Sequence, residues 1–214
     1  MKRSGKPLGA RKRTPLRSAS TTAAHYAGNA VVLVGFMGAG KSSVGQALAR
    51  QLNWVFEDLD ERIERREGRM VAAIFRDSGE LAFRRAEQSA LQQVLEELSG
   101  GVARIVALGG GAFVQPGNAA LLKSCGVPTV FLDAPVDELW QRCRKQASEA
   151  GTERPLLKSM EEFRQLYENR RKSYAEAALK IGTGNRSVDA IAKEIVETLG
   201  LKTIAIRTEQ GEVE

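Results

Sequence analysis

Short apolar runs alternate with helical periodicity along most of the chain. Five runs predict strands, at 31–34, 54–56, 102–108, 127–132 and 179–181. Apolar residues spaced three or four positions apart predict helices between them, at 42–52, 60–66, 71–75, 79–98, 119–123, 136–146, 160–177 and 188–199. Strands that alternate with helices indicate an α/β domain, a parallel sheet with helices on both faces.

A glycine-rich loop follows the first apolar run. Residues 35–42 read G-F-M-G-A-G-K-S and fit G-x-x-x-x-G-K-[ST], the phosphate-binding loop of nucleotide enzymes. Glycines let backbone N–H groups point at phosphate oxygens, Lys41 supplies a mobile charge for the β- and γ-phosphates, and the Ser42 hydroxyl can ligate Mg²⁺. The alternative is a plain turn, but the strand before the loop and the helix after it favour nucleotide binding. The predicted ATP-binding residues are Gly38, Ala39, Gly40, Lys41, Ser42 and Ser43.

Composition excludes several kinds of chemistry. The chain of 214 residues has one histidine, His25, and two cysteines far apart in sequence. These exclude Ser-His-Asp and Cys-His catalysis and a histidine-rich metal site, and they favour a reducing compartment. No apolar run approaches the ~20 residues of a membrane span.

The net charge of +6 is concentrated in the first residues. Residues 1–30 hold seven Lys or Arg and no acid, so the remainder carries a charge of −1 and does not indicate a nucleic-acid-binding face. We interpret 1–29 as a disordered basic extension. It would be either the tail of a bacterial cytoplasmic protein or a plastid transit peptide. The C-terminal segment 201–214 is a tail, in which 203–206 could add an edge strand.

Polar groups follow two other predicted strands at the sheet edge where ligands bind in parallel sheets. Asp58 and Asp60 end the second strand, where one carboxylate can serve Mg²⁺ and the other can accept a substrate hydroxyl, although such a pair can also cap a helix. Gly109 to Gly111 follow the third strand, and without side chains they admit a ligand to the backbone or form a flexible turn. Residues 147–160 lack a clear period and predict a mobile loop.

Six segments together resemble the shikimate kinases over about residues 30–200. They read G-F-M-G-A-G-K-S-S, F-E-D-L-D-E-R-I-E, G-E-L-A-F-R-R-A-E, A-L-G-G-G-A-F, R-P-L-L at 154–157 and R-R-K-S-Y at 170–174. The resemblance implies a three-layer P-loop kinase fold with a five-stranded parallel sheet in the order 2-3-1-4-5. It also implies ATP-dependent phosphorylation of the 3-hydroxyl of shikimate to shikimate 3-phosphate, a step in aromatic amino acid biosynthesis.

The same resemblance implies roles for single residues. Asp58 matches the aspartate associated with Mg²⁺, directly or through water. Asp60 matches the aspartate that binds the shikimate hydroxyls and is the candidate proton acceptor. Arg84 and Arg170 match the arginines that grip the carboxylate, beside the Gly110 backbone. Arg154 matches the arginine of a lid at about 147–160; it is expected to bind ATP and, with Lys41 and Asp60, to be catalytic.

These assignments agree with the chemistry of the acceptor. An arginine fork binds a carboxylate bidentately, and acceptors at the other end of the site suit hydroxyl groups. Glu87, three positions after Arg84, could brace it on the same helix face, whereas an arginine on a helix is more often a solvated charge. The helices at about 60–98 are expected to bind the substrate.

Two other functions stay open at this stage. Another small-metabolite kinase, such as a gluconate kinase, would also need groups for a carboxylate and hydroxyls. An inactive nucleotide-binding interaction module would keep the phosphate loop without turnover. The expected partners are shikimate and ATP with Mg²⁺, with no membrane and no nucleic acid, in a monomer.

Overall fold

The computed structural model describes residues 29–150 and 159–204, with only the backbone described at residue 150. Its sheet has five parallel strands in the order β2-β3-β1-β4-β5. The strands are β1 Ala30–Val34, β2 Val55–Asp58, β3 Arg104–Ala107, β4 Thr129–Asp133 and β5 Leu179–Gly182. The predicted strand order is therefore confirmed.

Seven helices surround the sheet in the described part of the chain. They are α1 Lys41–Leu52, α2 Leu59–Glu67, α3 Val71–Ser99, α4 Pro116–Cys125, α5 Val136–Ala150, α6 Met160–Tyr174 and α7 Val188–Leu199. All five residues of β1 are buried. Because successive strand residues point to opposite faces, both faces of the central strand are covered, as the three-layer architecture requires.

Six of the seven described helices differ from their predicted bounds: α1 and α2 differ by one residue at one or both ends, and α6 ends at Tyr174 instead of at 177. Helix α4 begins at Pro116 instead of at 119, because the fixed φ of proline suits a first helical turn. Helix α5 continues to Ala150 instead of ending at 146, so the first residues of the predicted loop at 147–160 are helical. The helices predicted at 71–75 and 79–98 join end to end in α3, where Gly79 breaks the helical geometry with φ 79° and ψ 170°.

The strand bounds shift by one or two residues. β2 runs to Asp58, so this carboxylate lies at the end of the strand itself, and β3 is shorter than the apolar run at 102–108. Residues 201–204 belong to no strand. They pass along the end of α1, where Ile204 N donates to Leu52 O at 3.1 Å and Trp54 Nε1 donates to Lys202 O at 3.2 Å.

Several predicted features lie outside the described residues. These are the basic extension up to residue 28, Arg154 with the segment 151–158, and residues 205–214. Within the described ranges, no helix has both the length and the apolar character to cross a bilayer.

Candidate active site

The phosphate loop lies between β1 and α1 and packs closely on its neighbours. Gly38 has φ 79°, and a Cβ there would lie 2.8 Å from Leu139 O and 2.9 Å from Cys143 Sγ of α5. Only glycine fits this conformation in this space. Because α1 starts at Lys41, its unpaired N-terminal N–H groups open at the same loop and favour an anion.

Lys41 is folded back on the loop that carries it. Its Nζ donates to Gly35 O and Phe36 O, both at 3.0 Å. Burial lowers its pKa, while the carboxylates of Asp60 and Asp58 act in the opposite direction. The ammonium group is thus held at the loop by carbonyl oxygens that a phosphate group could replace.

Each carboxylate oxygen of Asp58 accepts a hydrogen bond from a different segment. Its Oδ2 accepts a hydrogen bond from Ser42 Oγ at 2.9 Å, and its Oδ1 accepts from Asp60 N at 3.0 Å, which caps α2. The capping alternative left open by the sequence therefore holds for one oxygen. The other oxygen links the end of β2 to the first turn of α1.

Asp60 presents a carboxylate that lacks a full set of partners. Its Oδ1 is buried and has no hydrogen-bond partner among the described residues. Burial, together with the charges of Asp58 and Glu87, raises the pKa of Asp60 to about 6, against an opposing effect of Lys41. A buried acceptor without a donor costs free energy, which a substrate hydroxyl would recover. Asp60 is therefore suited to accept a hydrogen bond from a bound alcohol.

The glycine loop after β3 touches this carboxylate and two arginines. A Cβ on Gly109 would lie 2.5 Å from Asp60 Oδ1, and one on Gly111 would lie 2.7 Å from both terminal nitrogens of Arg84. A side chain at either position would therefore displace the Asp60 carboxylate or the Arg84 guanidinium. The alternative of a merely flexible turn does not account for this crowding.

Arg84 is held in a fixed orientation on α3. Its Nη1 donates to both carboxylate oxygens of Glu87, at 3.0 and 3.1 Å, and its Nε and Nη2 donate to Glu80. Glu87 is only 1% exposed, and burial raises its pKa against the opposing effect of Arg84. The guanidinium also lies over the rings of Phe75 and Phe83, at 5.9 and 5.3 Å. Arg84 is not an ordinary solvated charge, and Glu87 braces it as the helical spacing suggested.

Arg170 approaches the same glycine loop from α6. Its Nη1 donates to Gly110 O at 3.3 Å, and its guanidinium lies over the ring of Phe36 at 5.9 Å. The hydroxyl of Tyr174 also donates to Gly110 O. Arg84 and Arg170, which are far apart in sequence, thus lie against one three-residue loop.

A cleft of about 230 Å³ joins the phosphate loop to the acidic pair. Its lining residues come from the phosphate loop, the end of β2, the glycine loop and α5: Met37, Gly38, Gly40, Lys41, Ser42, Ser43, Asp58, Asp60, Leu108, Gly109, Gly110 and Gln146.

Sequence reasoning missed two residues at this edge. Arg142 of α5 donates to Gly38 O at 3.3 Å and to Thr183 O at 2.9 Å, which links the phosphate loop to the end of β5. Tyr174 belongs to the segment R-R-K-S-Y at 170–174, but the sequence indicated no role for it. The helical spacing of Arg142 and Glu138 was visible in the sequence, but their contacts with remote loops were not.

A family model described as shikimate kinase matches residues 37–200. The chain is 41% identical over 183 residues to the shikimate kinase of Cereibacter sphaeroides, covering 84% of this chain and 87% of that protein. Among solved structures, it resembles the shikimate kinase of Acinetobacter baumannii in complex with shikimate. The TM-score is 0.72 and the identity 32%, over 81% of this chain and 94% of the other. A gluconokinase of Sinorhizobium meliloti 1021 has a TM-score of 0.51 at 19% identity, over 82% of this chain and 93% of the other, and therefore shares the fold alone.

Proposed function

The chain belongs to the shikimate kinase family, and from this premise we propose which of its residues perform each part of the reaction. The activity is the transfer of the γ-phosphoryl group of ATP to shikimate, a step of the shikimate pathway to aromatic amino acids. The comparisons favour this activity over a gluconate kinase and over an inactive module. The residue assignments below are our proposal.

The phosphate loop supplies the donor half of the site. Backbone N–H groups from Gly38 to Ser43 surround the phosphates, and the N-terminal end of α1 adds its favourable dipole. Lys41 exchanges its two carbonyl acceptors for phosphate oxygens, so that its charge offsets the charge on the transferring group. This role is supported by the hydrogen bonds that Lys41 Nζ donates to Gly35 O and Phe36 O, because these carbonyls belong to the loop that would hold the phosphates.

Ser42 and Asp58 fit the requirements of a magnesium ion. Both supply hard oxygen atoms, lie within hydrogen-bonding distance of each other and line the cleft. Within residues 29–150 and 159–204, no group of three or more His, Cys, Asp and Glu side chains could form a metal cage. This suits Mg²⁺, which commonly binds one or two protein oxygens together with phosphates and water. Ser42 would hold it directly and Asp58 directly or through water, and the ion would offset charge on the phosphates.

Arg84, Arg170 and the Gly110 backbone supply the carboxylate end of the acceptor half. The observation that carries this assignment is the convergence of the two guanidinium groups on the loop from Gly109 to Gly111. Shikimate carries one carboxylate, and arginine forks bind such a group in a defined orientation. Glu87 positions Arg84 and keeps the local charge balanced before the substrate arrives.

Asp60 serves the hydroxyl end of the acceptor. Its uncompensated Oδ1 accepts the hydrogen bond of the attacking hydroxyl and orients it toward the phosphate loop. A pKa of about 6 leaves the carboxylate ionised at neutral pH, yet basic enough to take the proton as the new P–O bond forms. Arg154, assigned from the family resemblance, would add positive charge from the segment between α5 and α6.

Substitution of the two arginines tests the acceptor half. We expect Arg84→Lys or Arg170→Lys to raise the KM for shikimate by about 10-fold or more, since a lysine loses the bidentate charged hydrogen bonds. The KM for ATP should change by less than about two-fold, because neither arginine belongs to the donor half. Arg85→Lys is the matched control, since Arg85 is exposed and adjacent on α3. An unchanged KM for shikimate in both arginine variants would contradict the assignment.

The remaining parts of the proposal concern the whole chain. Residues 30–200 would form the catalytic domain, of which 60–98 bind the acceptor, and deletion of residues 1–28 would leave the activity unchanged. We propose that the enzyme acts as a monomer. We also propose that it acts in the bacterial cytoplasm, and the bacterial sources of its relatives support this location. Shikimate, ATP and Mg²⁺ would be its only required partners.

A further inference from the structure

Helix α6 presents one inner face toward the site. Phe163, Tyr167, Arg170 and Tyr174 follow one another at spacings of four, three and four residues, which places them on the same side of a helix. The three aromatic residues are buried, whereas Arg170 is only partly buried. Among these four side chains, the Arg170 guanidinium is thus the one that can change its hydrogen-bond acceptor.

The Gly110 carbonyl receives hydrogen bonds from two of these residues. The hydroxyl of Tyr174 donates to it, and Arg170 Nη1 donates at 3.3 Å. Tyr174 is fully buried and its ring packs on Phe131 at a centroid distance of 5.3 Å, so its hydroxyl has little freedom to reorient. The Arg170 bond is longer than the usual 2.7–3.2 Å for an N–H donor.

We propose that Tyr174 is a positioning residue for acceptor binding: its hydroxyl satisfies the Gly110 carbonyl and so leaves Arg170 available for the acceptor carboxylate. This inference rests on the proposed function, because it assumes that Arg170 binds that carboxylate. Tyr174 itself does not touch the acceptor in this scheme. It acts through the carbonyl group that would otherwise compete for the guanidinium.

The physical reason is the cost of an unpaired buried carbonyl. A backbone oxygen that loses its partner recruits another donor, and Arg170 is the donor already in contact with it. Burial raises the pKa of Tyr174 to about 12, against an opposing effect of Arg170, so the hydroxyl keeps its proton throughout the useful pH range. The carbonyl is therefore occupied at every pH at which the enzyme would be assayed.

Tyr174→Phe removes the hydroxyl and keeps the ring. We expect the KM for shikimate to rise by roughly three- to ten-fold, the change in affinity expected from one net hydrogen bond. The KM for ATP and the kcat should remain near their original values. A loss of folded protein alone would lower the apparent kcat without a selective change in the KM for shikimate.

Tyr167→Phe is the matched control on the same helix. The Tyr167 hydroxyl donates to Asp133 Oδ1 at 2.7 Å, and Asp133 keeps Lys180 and Arg171 as partners after the change. This variant also loses a tyrosine hydroxyl but leaves the Gly110 carbonyl satisfied. A rise in the KM for shikimate as large as that of Tyr174→Phe would overturn the inference.

A double-mutant cycle with Arg170→Ala completes the test. If Tyr174 acts through Arg170, adding Tyr174→Phe to Arg170→Ala changes the KM for shikimate by less than about two-fold. The inference would be overturned if Tyr174→Phe raised the KM for shikimate equally in the wild-type and Arg170→Ala backgrounds. It would also be overturned if Tyr174→Phe left this KM unchanged while Arg170→Ala raised it. An Arg170→Ala enzyme with an unchanged KM would instead refute the proposed function of Arg170, and the inference with it.

Discussion

Replacing Asp60 with asparagine should stabilise the protein while removing its activity. The variant keeps the shape of the side chain and removes a charge that the folded state disfavours. Burial first, and then the charges of Asp58 and Glu87, raise the pKa of this carboxyl from 3.8 to about 6. The ionised carboxylate is therefore less stable in the folded protein than in the unfolded chain.

The size of the effect follows from the pKa difference. At 1.36 kcal/mol per pKa unit, the ionised group lowers the free energy of unfolding at pH 7 by roughly 2–3 kcal/mol. Because the folded pKa is raised, the folded state holds the proton more tightly. The penalty is absent below the unfolded pKa near 4, grows as the pH rises and is complete above pH ~6. The gain in Asp60→Asn should follow the same pH dependence.

Urea unfolding of the unliganded protein, monitored by tryptophan fluorescence, measures this gain. We expect Asp60→Asn to raise the free energy of unfolding by roughly 2–3 kcal/mol at pH 7.5 and by less than about 1 kcal/mol at pH 4. Glu96→Gln is the control, because Glu96 is an exposed acid on α3. Turnover of shikimate should fall by about 100-fold or more, with ATP binding retained. A gain in the free energy of unfolding over the unsubstituted protein that is no larger at pH 7.5 than at pH 4 would refute the reasoning.

Two further predictions address the glycine loop and the metal. Gly109→Ala should lower kcat/KM for shikimate by about 10-fold or more, because the new Cβ would lie 2.5 Å from Asp60 Oδ1 and displace that carboxylate. Gly117→Ala is its control, since the nearest atom there is Gln88 Nε2 at 3.4 Å, and equal losses in both variants would contradict the prediction. Ser42→Ala should raise the Mg²⁺ concentration needed for half-maximal turnover by about 10-fold, because it removes one oxygen ligand. An unchanged Mg²⁺ dependence would exclude Ser42 as a ligand.

The apolar pattern predicted the architecture because the central strand β1 is a continuous buried apolar run and its neighbours β3 and β4 are apolar over most of their length. It could not place the ends of the elements as well. Pro116 and Gly117 are typical of a turn and equally of the first turn of a helix, and tertiary packing decides between them. Residues 147–150 have no clear period, yet they continue α5.

The candidate site was predictable where its residues are neighbours in sequence. Lys41 and Ser42 follow from the phosphate-loop pattern, and Asp58 and Asp60 follow from their position after a strand. The contacts that orient these groups join distant segments instead. Arg142 and Gly38 are 104 residues apart, and Tyr174 and Gly110 are 64 apart. Spacing within one helix predicted Glu87 as the partner of Arg84 but gives no information about distant pairs, so Arg142 and Tyr174 became visible only in the folded chain.

A phosphate loop that is combined with two arginines and Asp60 should make shikimate the preferred acceptor. ADP release by the full chain with ATP and Mg²⁺ tests it most directly, with shikimate and gluconate compared at equal concentrations. We predict rapid turnover of shikimate and, for gluconate, a kcat/KM at least about 100-fold lower, because the open chain of gluconate must lose conformational freedom to place its carboxylate on both arginines and a hydroxyl on Asp60 at once. Equal or faster turnover of gluconate would contradict this account of the site.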